Sequence, residues 1–380
     1  MTWEFQEAVL RRLGASGAEC EELLRYNENV FKIPDRIRPD KIRLPPPDEP
    51  FVACWEGWAS SARERGAWAV LREHLPQLRF PIREGMSGTE AYRAATLRGV
   101  PPADLPEAAG LPLLRPELVE LALHPSPAGR VPVLTVRGRA DFVALVQALG
   151  HRNEPFPVPG SQGALMISGY NNWARVAALR REWEAREPDE RQGSWGEELE
   201  RLKPQRELYQ DRFILLSDGP YSAVPAADLG LAEGEWRELS LAIRRDHESA
   251  HYFTRRLFGA MRNNLLDELI ADYAGMVAAI GRFRADWFLR FLGLEAFPSL
   301  RPGGRLGIYR GKPPLSDGAF RVLQALIRDA ALNLERFDAT LPAGPRSLEE
   351  RAEALTALAS LRLEDLAAPG GEAALAEAFR

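Results

Sequence analysis

The chain has 380 residues, 45% of them hydrophobic and 27% charged, and a net charge of −5. That is enough apolar material for a sizeable core and more length than one average domain needs, while the lack of a basic excess argues against a general nucleic-acid or acidic-membrane binder. Its two cysteines, Cys20 and Cys54, lie outside any C-x-x-C, so a bound metal would have to be held by histidine and carboxylate, and a reduced, cytoplasmic setting is expected.

The first stretch, MTWEFQEAVLRRLG, is amphipathic and carries Glu4 and Glu7. It lacks the basic start and apolar run of a signal peptide. It reads as a helix closed at Gly14, followed by a second in GAECEELLRY. Ile33–Pro50 (IPDRIRPDKIRLPPPDEP) holds too much proline for a helix or a central strand and reads as a wrapping segment or linker. Helical periodicity returns in FVACWEGWASSARERG and GTEAYRAATLRG. Residues 1–104 are therefore expected to form a helical N-terminal region.

Residues 105–230 change character. ELVELAL and VPVLTVRG flank the turn-like HPSPAGR as a hairpin, and ADFVALVQALG is a helix stopped by Gly150. GALMISG and RFILLSDG are short buried-strand candidates, separated by a Trp-containing helix around NNWARVAALRREWEAR. Glu117–Gly219 is thus expected to build a small sheet with helices packed on it. DGPYS, Asp218–Ser222, reads as a turn after a strand. GSQG before a strand lacks the ending of a phosphate loop, and no G-x-S-x-G occurs to suggest a serine-hydrolase elbow.

Residues 231–380 read as helical. GEWRELSLAIRRDHESAHYFTRRLFG runs without proline to Gly259, with Trp236, Ser240, Ile243, His247, Ala250, Thr254 and Phe258 on one stripe. NNLLDELIADYAGMVAAIG follows as a second helix, capped by Asn263 or Asn264. Gly303 and Gly304 open an irregular loop, GGRLGIYRG, and Ser347 with Glu350 forms a capping box. No run of 18 apolar residues occurs, so no membrane span is expected. The fold class is α+β and mostly helical, with a small central sheet and a helical hairpin in the C-terminal half.

The chemistry concentrates in HESAH, which uses two of only five histidines. Residues four apart share a helix face, so His247 and His251 would present two imidazoles to one point, with Glu248 at the mouth of the site. Two nitrogen ligands for Zn²⁺ beside a carboxylate able to deprotonate metal-activated water are what H-E-x-x-H chemistry requires. Glu268 and Asp272, again four apart on the next helix, offer a third ligand and an acceptor for a ligating imidazole.

H-E-x-x-H followed by E-x-x-x-D resembles the pattern of gluzincin-type zinc metallopeptidases, over the HESAH and ELIAD segments alone. The resemblance implies His247, His251 and Glu268 as zinc ligands, Glu248 as general base and Asp272 as orienter of a ligand. It also implies a short sheet ahead of the active helix whose edge strand holds the substrate backbone. The substrate would be a peptide or another amide. No histidine follows His251, and of the later tyrosines, Tyr252 and Tyr273 lie on the metal helices themselves. Tyr309, in the glycine-rich loop, is the candidate electrophilic donor.

Other readings use the same residues. Glu248 and His251 fit half of a di-iron carboxylate site with Asp267, Glu268 or Asp272, although no second E-x-x-H occurs. A metal closed by a fourth protein ligand, Asp246 or Asp267, would staple two helices in a non-catalytic binding protein. Without a metal, Arg245, Asp246, Arg255 and Arg256 would be the solvated face of a charged helix. His74, His124 and His151 have no partner at ligand spacing, and the tryptophans read as packing.

Overall fold

The computed structural model describes residues 3–29, 31, 43–105, 107–186, 193–261 and 264–379. Residues 33–42 of the proline-rich segment lie outside the described residues. Along the chain come α1 (Trp3–Arg12), α2 (Gly17–Tyr26), α3 (Val52–Arg65), α4 (Ala67–His74) and α5 (Glu90–Arg98). Then follow β1 (Val119–Ser126), β2 (Gly129–Val136), α6 (Arg139–Leu145), β3 (Ala164–Asn171), α7 (Trp173–Glu184), α8 (Trp195–Leu202) and β4 (Gln210–Ser217). The remainder is helical: α9 (Glu233–Phe258), α10 (Leu265–Ile280), α11 (Ala285–Leu292), α12 (Asp317–Asp338), α13 (Leu348–Ala359), α14 (Leu363–Ala367) and α15 (Gly371–Ala378). The fold is α+β and mostly helical, and none of the described helices is long and apolar enough to cross a membrane.

The chain divides into two compact units. One comprises residues 47–125 and 129–218, and holds the only sheet among the described residues, in the order β1-β2-β4-β3. β2 and β4 run parallel and β3 is antiparallel to β4. The expected hairpin forms, but its strands run through most of the HPSPAGR stretch and leave a tight turn. Pro125 is tolerated there because β1 is an edge strand, and Pro132 precedes the first β2–β4 pair, Val133 with Ile214. Phe213, Ile214, Leu215 and Leu216 of β4 are fully buried, as expected of a central strand covered on both faces. The buried Asp211 carboxylate accepts from Trp55 Nε1 at 2.7 Å, Asn172 Nδ2 at 2.6 Å and Arg175 at 2.7 Å, which ties α3 and α7 to the strand. His74 stacks on Trp58 and His151 on Phe156, so both serve as packing groups.

The other unit comprises residues 1–46, 126–128 and 219–380. The units therefore cut across the three consecutive regions read from the sequence, since α1 and α2 join the C-terminal helices and α3 to α5 join the sheet. Asn27 donates to the buried Glu364 at 2.7 Å, and Asn29 donates to the carbonyls of Ala359 and Leu361 at 2.8 Å each. At the centre lies α10, buried without interruption from Leu265 to Val277. Asn264 caps it, accepting from Asp267 N at 3.1 Å, while the alternative cap Asn263 lies outside the described residues. α9 stops at Gly259, whose φ of +68° suits glycine.

These two helices form the expected hairpin, with Ile243 facing Gly275, His247 facing Asp272 and His251 facing Asp267 and Glu268. Their close approach depends on Gly275, where a Cβ would lie 2.5 Å from the carbonyl oxygen of Ile243.

Candidate metal centre

The predicted stripe on α9 is buried along its whole length, from Trp236 through His247 to Phe258. His247 and His251 are each 6% exposed, and Glu268 of α10 is 4% exposed. The Nε2 atoms of the two imidazoles face each other at 3.1 Å, with the rings nearly perpendicular. Glu268 completes a triangle, with one carboxylate oxygen 3.7 Å from His247 Nε2 and the other 3.6 Å from His251 Nε2. Among the described residues this is the one cluster of three or more histidine, cysteine or acidic side chains able to hold a metal.

The far side of each ring faces a carboxylate of α10. His247 Nδ1 lies 2.9 Å from Asp272 Oδ1, the orienting contact expected from the sequence. His251 Nδ1 lies 3.3 Å from Asp267 Oδ1. Each helix of the hairpin thus supplies what the other needs: imidazoles from α9, their carboxylate partners from α10. A proton on His247 Nδ1, directed at Asp272, leaves the Nε2 lone pair of that ring directed at the shared point.

Two further residues enter that the sequence did not single out. Tyr221, from the DGPYS turn, places its hydroxyl 2.9 Å from His247 Nδ1 and donates to Asp272 Oδ1 at 2.5 Å. Its backbone N–H is held by Ser240 Oγ at 3.0 Å, one more position of the buried α9 stripe. Arg305, from the glycine-rich loop, donates to the Tyr221 hydroxyl at 3.0 Å, pairs with Asp272 and lies 3.9 Å from Glu268. Tyr309, four residues on, is buried, and the Glu268 carboxylate is among the charges that raise its hydroxyl. The side chain expected to act as electrophilic donor therefore shares a short 3₁₀ helix with Arg305.

Burial raises the Tyr221 and Tyr309 hydroxyls far above the ordinary phenol range, so both are donors at neutral pH. Burial alone would raise Asp272, but Arg305 and the bonds from His247 and Tyr221 hold it down at about 2. Burial lowers His251, yet Asp267, Glu268 and Glu248 outweigh it and bring the imidazole up to about 10. Three carboxylates (Asp267, Glu268 and Asp272) and one guanidinium surround the pair of imidazoles.

Other acidic candidates lie elsewhere. Asp246 is buried, not solvated, because it pairs with Arg351 of α13 and with Arg245. It is not part of the cluster of ligand atoms formed by His247, His251 and Glu268. Glu248 is half-buried, the most open acidic group of the set.

The fold and this cluster define a mostly helical α+β protein with a His-His-Glu centre between two antiparallel helices. Its sequence matches a family of unknown function, DUF7005, over residues 8–370, and the chain belongs to that family. No curated protein and no solved structure matches it.

Proposed function

We propose that the α9–α10 hairpin binds one zinc ion through His247, His251 and Glu268, and that the protein is a zinc-dependent hydrolase of amides, most simply a peptidase. The observation that carries this reading is the convergence of both imidazole Nε2 atoms, 3.1 Å apart, on the Glu268 carboxylate, one of whose oxygens lies 3.7 Å from His247 and the other 3.6 Å from His251. Tetrahedral zinc with bonds of about 2.1 Å needs donor separations of roughly 3.4 Å. The Asp272 carboxylate behind His247 Nδ1 supports the same assignment, because it sets the tautomer that a metal requires, and Asp267 lies 3.3 Å from His251 Nδ1.

When bound, zinc would polarise a substrate carbonyl and make water a nucleophile near neutral pH. Glu248, adjacent to His247 and more open than the ligands, takes the proton of the attacking water and returns it to the leaving group. Asp272 holds the His247 imidazole, Asp267 faces that of His251, and Arg305 lies beside Glu268. Free Cys20 and Cys54 support a reducing, cytoplasmic setting.

The rival metal readings have less support. Asp267 and Asp272 face imidazole Nδ1 atoms, which takes from a di-iron site the carboxylates it would need. Asp246 is engaged by Arg351 and Asp267 by His251, so neither favours a closed four-ligand staple. The test is elemental analysis with a peptide-hydrolysis assay on wild type and Glu248→Gln. The hydrolase reading expects one zinc in each and turnover in the wild type alone. A zinc-loaded wild type without amidase activity on a broad peptide library would leave only a metal-binding protein.

A further inference from the structure

The turn that carries Tyr221 into the candidate centre has a backbone that needs outside support. Ser222 and Ala223, directly after Tyr221, both lie in the left-handed region, with φ of +51° and +55°. Neither is a glycine, so this is a conformation that the surroundings have to hold. The holding contacts come from α9, at positions four residues apart. Trp236 Nε1 donates to the Val224 carbonyl at 2.7 Å, Ser240 Oγ accepts from the Tyr221 N–H at 3.0 Å, and Arg244 donates to the Pro220 carbonyl at 3.2 Å. All three side chains are buried, Ser240 completely. The Arg244 guanidinium also lies over the Tyr221 ring, 5.6 Å from its centre. Further along the same face comes His247, whose Nδ1 meets the Tyr221 hydroxyl at 2.9 Å. One face of α9 thus grips the backbone of the turn at three points and receives its hydroxyl at a fourth.

We propose that Ser240 and Arg244 are positioning residues for the metal centre, acting through Tyr221 on His247. This rests on the zinc reading given above. The physical reason is geometric. A tyrosine side chain has two torsions and a rigid ring, so the position of its backbone sets where its hydroxyl falls. Of the three α9 contacts, the one from Ser240 is made to the backbone of Tyr221 itself, while Arg244 holds the preceding carbonyl and the ring. The Tyr221 hydroxyl then donates to Asp272 Oδ1 at 2.5 Å, the same oxygen that lies 2.9 Å from His247 Nδ1. A ligating imidazole takes its orientation from such an acceptor. Loss of the Ser240 hydroxyl, about two helical turns ahead of His247, therefore loosens that imidazole without removing any atom that would touch the metal.

The test is a zinc titration against a chromophoric chelator on metal-stripped wild type, Ser240→Ala, Tyr221→Phe, their double variant and Ser249→Ala. Ser249 is the control: it is as buried as Ser240 and on the same helix, but its hydroxyl donates to the Arg245 carbonyl of α9 itself at 2.8 Å. The proposal expects Ser240→Ala to raise the zinc dissociation constant about 10-fold, the lower end of what an outer-shell contact contributes. Ser249→Ala should leave it within about 2-fold of wild type. Tyr221→Phe should weaken binding at least as much as Ser240→Ala, and the double variant no further, because both changes break one path. With cobalt in place of zinc, Ser240→Ala and Tyr221→Phe should shift the visible absorption of the bound ion in the same direction, which a change in packing away from the centre would not do. Arg244→Met, which releases the same turn at Pro220, should also raise the zinc dissociation constant and decides the matter if Ser240→Ala folds poorly. Wild-type affinity in Ser240→Ala and Arg244→Met, an equal loss in Ser249→Ala, or additive losses in the double variant would overturn the positioning role while leaving the zinc site standing. A wild type that takes up no zinc would overturn both.

Discussion

Gly275 sits against the carbonyl oxygen of Ile243, so close that a Cβ at that position would be 2.5 Å away. The contact lies one turn from His247 and Asp272, whose pairing spans the same two helices at 2.9 Å. Backbone cannot retreat as a flexible side chain can. Gly275→Ala should therefore cost about 1–3 kcal/mol by overpacking and push the imidazoles away from Glu268. Urea unfolding measures the first effect and zinc titration the second. Wild-type values for both would mean that the helices have room to spare.

Tyr221 bonds Asp272, His247 and Arg305 with one hydroxyl. Tyr221→Phe keeps the ring against Phe291 and removes those bonds only. Zinc affinity should fall by about 10- to 100-fold, as outer-shell losses at metal sites do. An isothermal titration showing unchanged affinity would assign Tyr221 to packing alone.

Arg305 pairs with the fully buried Asp272. Replacing it with methionine keeps most of the volume but strands a carboxylate in the interior. Breaking a buried pair in this way costs about 3–5 kcal/mol. Chemical denaturation checks it, and Arg305→Met combined with Asp272→Asn should recover a large part of the loss, since the stranded charge is gone.

Glu364 gives a pH dependence away from the metal centre. Burial, only partly offset by the Asn27 bond and Arg362 and reinforced by neighbouring Asp365, raises its carboxyl to about 7. The folded state thus binds this proton more tightly than the unfolded chain. The stabilisation is complete below the ordinary glutamate value, declines as pH rises and is gone above about 7. At 1.36 kcal/mol per unit, the swing is about 3 kcal/mol. Glu364→Gln should gain on the wild type as pH rises from 4.5 to 8. Parallel stability curves for the two proteins would refute the assignment.

The hairpin was legible because its signals are local. A long 3.6-residue stripe, a glycine stop and two i,i+4 pairs place His247, His251, Glu268 and Asp272 without tertiary information. The same holds for β4, an apolar run that becomes the buried central strand. Tyr221 and Arg305 were not legible, since each comes from an irregular segment whose path depends on packing. DGPYS carries ordinary turn chemistry, and one arginine in a glycine-rich loop resembles any surface arginine. Asp267 was visible only as an alternative ligand, because a sequence does not say which face of α10 meets the second imidazole. The docking of α1 and α2 on the C-terminal helices is encoded in contacts such as Asn27 with Glu364, which no periodicity reveals.

The central claim is that two imidazoles and one carboxylate hold a divalent ion between α9 and α10. Elemental analysis of wild type and His251→Ala, purified side by side without added chelator, tests it most directly. One zinc per wild-type chain and none in the variant is the expected result. A wild type free of bound metal, with a melting temperature that added zinc does not raise, would contradict it.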